Sequence, residues 1–74
     1  MLEKIIEIIQ EQLDCSGRQL TAQTTFKGDL AVDSLDLFEL EMTIEDQLGV
    51  EIPSEAFAQM QTIGEVAAYV ESHQ

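Results

Sequence analysis

Apolar side chains recur at the spacing of one helix face in three stretches of this chain, and no stretch alternates as a half-buried strand does. Leu2, Ile5, Ile6, Ile9 and Leu13 share a face over residues 2–14, with Glu3, Glu7 and Glu11 on the others, until Gly17 breaks the pattern. A second helix is predicted over residues 34–48, capped by Asp33 and ended by Gly49. Asp36, three residues after Asp33, comes close to completing a capping box. Val50-Glu51-Ile52-Pro53 reads as extended, because the residue before a proline avoids helical geometry. Ser54 starts a short helix through about Gln59 that carries Phe57. Thr62 and Glu65 form a capping box for the last helix, whose buried stripe is Ile63, Val66, Ala67 and Val70. The fold class that follows is all-α: a small four-helix bundle of three longer helices and one short one, with a long loop between helices 1 and 2.

Seventy-four residues are expected to make one domain, residues 1–74. A chain of this length buries only about 60% of its unfolded surface and has no room for a deep cleft between domains. The loop over residues 15–33 is long for so small a body, which usually means either function or an error in the assignment of elements. Leu20, Phe26 and Leu30 are expected to pin it to the core as an ordered segment, with room for a turn of helix.

Fifteen acids against three bases give a formal charge of −12. That balance argues against nucleic acid and anionic membranes and favours partners with basic surfaces. Regularly spaced apolar residues argue against disorder as the reason for the acidity. Cys15 is the only cysteine, so no internal disulfide forms, and it has no basic neighbours to activate it. No apolar run approaches the roughly 20 residues needed to span a bilayer, and the acids near Met1 fit no signal peptide. A cytoplasmic monomer is the expectation.

Helix 2 carries two apolar stripes. At about 100° per residue, Leu37, Leu40, Ile44 and Leu48 fall together and should face the core. Leu35, Phe38 and Met42 fall nearly opposite, bordered by Asp36, Glu39 and Asp46 on one side and Glu41 and Glu45 on the other. An apolar seam with an acidic rim is the layout of a docking surface, and Met42 adds an adaptable contact.

Ser34 opens this helix within Asp33-Ser34-Leu35-Asp36. Asp33 already supplies the cap, so the Ser34 hydroxyl is left to point outward, at a helix end that favours a phosphate. It reads as a point of attachment rather than as a catalyst. A serine hydrolase needs a base and an orienting third group, and the sole histidine, His73, lies next to the C-terminus as a frayed, exposed residue. There is no G-x-S-x-G elbow. Calcium-loop spacing fails too, since Ser34 or Phe38 falls where the loop needs glycine. No catalytic residue and no metal site are expected.

The run Leu30-Ala31-Val32-Asp33-Ser34-Leu35-Asp36 resembles the signature of acyl carrier proteins. Glu39-Leu40, Glu45-Asp46 and Glu51-Ile52-Pro53 match that family's pattern downstream, and the resemblance covers essentially the whole chain. It implies a carrier, not an enzyme. Ser34 would bear 4′-phosphopantetheine through a phosphodiester, delivered from coenzyme A by a phosphopantetheinyl transferase (holo-carrier synthase). The arm's thiol would carry acyl groups as thioesters to enzymes of fatty acid or polyketide biosynthesis. The family's recognition acids correspond to Asp33, Asp36, Glu39, Glu45 and Asp46, and Leu37, Leu40, Ile44 and Ile52 are candidates for lining the space that receives acyl chains. Two residues depart from the pattern. Ala31 stands where glycine is usual, so the turn before Ser34 is expected to do without a positive φ. Phe38 is bulkier than the aliphatic residue common there. The alternative is an acidic interaction module of the same fold that is never modified, and the presence of Ser34 argues against it.

Overall fold

The computed structural model describes residues 1–14 and 19–73 and contains four helices among them. These are α1 (Leu2–Gln12), α2 (Ser34–Leu48), α3 (Ser54–Gln59) and α4 (Ile63–His73). The small four-helix bundle read from the periodicity is therefore the fold, with α1 packed on α2 and α4 and α3 packed on α2. Ile5, Ile9, Leu40, Ile44, Ile63, Val66 and Val70 fill its centre, joined by Phe26 from the long loop.

Local chemistry sets the helix ends. The Asp33 carboxylate accepts from the Asp36 N–H at 2.9 Å and so starts α2. Gly49 ends it at φ 65°, a left-handed geometry that costs glycine little, and its N–H donates to the Glu45 carbonyl at 2.9 Å. At α4 the Glu65 N–H donates to Thr62 Oγ1 at 3.2 Å. The returning Glu65 carboxylate accepts from Gln61 N–H at 2.7 Å, one residue earlier than a standard capping box has it. The buried residues of α4 are Ile63, Val66, Ala67 and Val70, the expected stripe.

α1 departs from expectation in two ways. It ends at Gln12 rather than at residue 14, and its buried residues are Ile5, Ile8 and Ile9, with Ile6 only half-buried. Because α1 lies against two helices, its apolar face is wider than one stripe and takes in Ile8. Cys15 and Gly17 lie outside the described residues.

The segment over residues 19–33 is ordered by hydrogen bonds and burial rather than by a turn of helix. Leu20 and Phe26 are buried as expected, Val32 joins them, and Leu30 is half-buried. Its backbone is tied to the start of α4 by three bonds: Phe26 N–H to the Gln61 carbonyl at 3.1 Å, Ile63 N–H to Thr24 at 3.1 Å and Gly64 N–H to Ala22 at 2.9 Å. Thr25 and Thr62 pair as an isolated antiparallel bridge within this contact. A Cβ at residue 64 would stand 2.9 Å from the Ala22 carbonyl oxygen, so only glycine allows the approach. In this way backbone groups that a loop would leave unpaired are satisfied. Among the described residues no helix is long and apolar enough to cross a membrane.

Candidate functional site

The loop delivers Ser34 to a set place. Val32 is buried, and its N–H donates to the Phe26 carbonyl at 3.0 Å, which anchors the chain two residues before the serine. Upstream, Thr25 and Asp29 lock a turn reciprocally: Thr25 N–H donates to Asp29 Oδ2 and Asp29 N–H to Thr25 Oγ1, both at 2.9 Å. Ala31 then turns the chain at φ 53°. The sequence led us to expect no positive φ at this alanine, and the structure corrects that. Two anchors, the Thr25–Asp29 turn and buried Val32, fix the path on either side, so the alanine adopts the left-handed conformation at a cost of about 1–2 kcal/mol.

Beyond that turn Asp33 is extended (φ −94°, ψ −176°), and its carboxylate is used as the cap. Ser34, the first helical residue, is exposed, and among the described residues none hydrogen-bonds its hydroxyl. The Ser34 and Leu35 N–H groups have no acceptor within the helix, as for any first turn, and they add partial positive charge beside the hydroxyl. A covalently held phosphate therefore fits here: the oxygen is open to solvent, and the helix end favours an anion. His73, by contrast, is engaged at the far end of α4. Its ring stacks on Tyr69 at 3.9 Å, and its Nδ1–H donates to the Tyr69 carbonyl at 2.9 Å. It is exposed but held, not frayed. Among the described residues no side chain hydrogen-bonds the Ser34 hydroxyl as a base would, and no cluster suits a metal ion.

Down α2 from Ser34 the outer stripe is open. Leu35 is 66% exposed, and Phe38 and Met42 are each 52% exposed. Asp33, Glu39 and Asp46 are exposed beside it, and Asp36 is half-exposed. The other flank differs from the expected rim. Glu41 is only 4% exposed and accepts from Ser54 Oγ at 3.3 Å. Burial raises its carboxyl above the ordinary value; the Ser54 hydrogen bond opposes that shift and nearby Glu45 adds to it. Glu45 is half-buried, and its carboxylate accepts from the Ile52 N–H at 2.7 Å. These two acids thus hold the connection from α2 to α3, which sequence spacing alone had placed at a free rim. The missed signal was Ser54, a donor at the start of α3 in reach of Glu41.

Of the four residues expected to receive an acyl chain, Leu40, Ile44 and Ile52 are buried in the core. Leu37 is half-buried and lines a cleft of about 370 Å³ together with Phe26, Met60 and Ala58. Sequence reading had assigned neither Phe26 nor Met60 to such a space.

The comparisons with known proteins agree along the whole chain. A family model described as phosphopantetheine attachment site matches residues 3–70. The acyl carrier protein of Clostridium perfringens is 40% identical over 73 residues, covering 99% of this chain and 96% of that protein. That of Lactobacillus johnsonii is 38% identical over 74 residues, covering 100% and 92%. A solved structure from Mycobacterium tuberculosis, assigned as an acyl carrier protein, superposes with a TM-score of 0.89 at 32% identity, covering 96% of this chain and 95% of that one.

Proposed function

The chain belongs to the acyl carrier protein family, and on that premise we propose that Ser34 is the residue that bears its 4′-phosphopantetheine. The protein is a carrier rather than a catalyst. The prosthetic group, once bound, supplies a thiol that holds acyl groups as thioesters. A phosphopantetheinyl transferase and acyl-handling enzymes act on such a carrier.

One observation carries the assignment. Ser34 presents an exposed hydroxyl, unbonded among the described residues, at the first position of α2, while the Asp33 carboxylate supplies the cap. The chain's own contribution is to fix that oxygen on a short, doubly anchored turn and to leave it accessible to another protein's active site. Leu35, Phe38 and Met42 are the apolar anchors of the docking face on this reading, and Asp33, Asp36, Glu39 and Asp46 are its charged rim. Glu45 joins that rim through the side of its carboxylate not bonded to Ile52. Basic partner surfaces meet this face, association rates come from the rim, and residence comes from the anchors. The carrier works as a cytoplasmic monomer, a single domain over residues 1–74.

Incubation with coenzyme A and a phosphopantetheinyl transferase tests the assignment by intact mass. One phosphopantetheine should add to the wild type and none to Ser34→Ala, whose melting curve should remain cooperative. Modification mapped to Ser54 or Ser72 would overturn it.

A further inference from the structure

Three bases stand against fifteen acids in this chain: Lys4, Arg18 and Lys27. Arg18 lies outside the described residues. Lys4 is on α1, in a groove that it shares with Glu7 and Glu11 of the same helix. Lys27 is exposed on the loop that leads to Ser34, and among the described residues none forms a hydrogen bond or an ion pair with it. On a body of charge −12, an ammonium left without a carboxylate is open to an anion that the chain acquires later.

The backbone at Lys27 is held on both sides. Thr25 and Asp29 lock the turn around it through two bonds of 2.9 Å, and the Leu30 N–H closes it onto the Thr25 carbonyl at 3.1 Å. Asp29 is the nearest acid along the chain, and its Oδ2 accepts from the Thr25 N–H within that lock. Phe26, just before Lys27, accepts from the Val32 N–H at 3.0 Å, which sets the turn beside the residue two before Ser34. Lys27 lines a cleft together with Leu37 of α2. Leu37 follows Ser34 by three residues, so the two are neighbours one turn apart on the helix surface. A flexible four-carbon stem thus carries the Lys27 charge on the Leu37 side of the start of α2. The acids that bracket the serine in sequence, Asp33 and Asp36, repel an anion. The helix end attracts an anion without choosing a side, and Lys27 makes that choice.

We propose that Lys27 is the positioning residue for the arm: its ammonium pairs with the phosphodiester on Ser34 and draws it to the Leu37 side of α2. This rests on Ser34 bearing the arm. The outer stripe of Leu35, Phe38 and Met42 is then left clear for docking. An exposed pair of this kind is weak, which suits an arm that must be released into a partner's active site.

The test compares apo and holo forms of the wild type, Lys27→Gln, Lys27→Arg and Lys4→Gln. The phosphorus-31 resonance of the phosphodiester should move in Lys27→Gln and lie near the wild-type position in Lys27→Arg and Lys4→Gln. The change in Tm from apo to holo should be less favourable in Lys27→Gln than in wild type by about 1–5 °C at about 0.01 M salt, and the difference should shrink as salt is added. Lys4→Gln alters the net charge by the same unit away from Ser34, so it should behave as wild type. An unmoved resonance in Lys27→Gln overturns the proposal, and so does a Tm difference that is absent or is matched by Lys4→Gln. Peptide mass mapping of the holo forms keeps the two readings apart: an arm found on another residue, or on none, overturns the Ser34 assignment instead.

Discussion

Leu40 and Ile44 on α2 have no exposed surface, whereas Phe38 and Met42, two residues before each of them, leave half of theirs in solvent. The two sides of this helix are similarly apolar, yet only one is covered. The covered side faces α1 and the core, while no helix of the bundle covers Leu35, Phe38 and Met42. A small bundle has too few elements to surround a helix, so position in the fold, not residue type, separates core from surface here. The flanks repeat the lesson with charge. Glu39 and Asp46 are exposed, but Glu41 and Glu45 face the α2–α3 connection and are drawn into hydrogen bonds with Ser54 and Ile52.

The largest effect should come from the covered apolar side of α2. Ile44→Ala removes a fully buried side chain and should destabilise the fold by about 2–5 kcal/mol in denaturant melts. Phe38→Ala should change stability by less than about 0.5 kcal/mol, yet hasten dissociation from a partner enzyme in stopped-flow at any salt concentration. Equal destabilisation by the two, with partner binding untouched, would mean that the outer stripe is core.

Glu41→Gln separates the buried acid from the exposed ones. Burial raises the Glu41 carboxyl, so the folded state holds its proton to higher pH than the unfolded state does. Stability from this group is greatest below its unfolded value, and it is lost as pH rises through the window up to the raised folded value. The glutamine variant should therefore melt higher than wild type at pH 7, and the gain should shrink as pH falls through that window. An unchanged or lower Tm at pH 7 would show that the Ser54 contact outweighs the burial of charge.

The smallest effect concerns the turn that presents Ser34. Ala31→Gly relieves a left-handed alanine but loosens the unfolded chain, so the net gain should be about 0.5–1 kcal/mol. Chemical denaturation measures it directly. A loss of stability would place the strain elsewhere.

Much of this protein follows from residues taken in order. Asp33 and Gly49 bound α2, Thr62 opens α4, and the stripe from Ile63 to Val70 is buried as its spacing requires. These are local matters, settled within one or two helical turns by capping and periodicity. Ser34 at the start of α2 belongs with them, since only its near neighbours decide that its hydroxyl is free. Tertiary structure decided the rest. Ala31 takes φ 53° because anchors on both sides of it leave no other path. Ile8 is buried because α1 touches two helices, and Glu41 because α3 folds back over it with Ser54 as donor. Phe26 and Phe57 meet across 31 residues of chain, a contact that no local period encodes, and Phe26 also lines the cleft beside Leu37. Burial and pairing depend on which surfaces the whole chain brings together, and helical spacing specifies only the surface each helix offers.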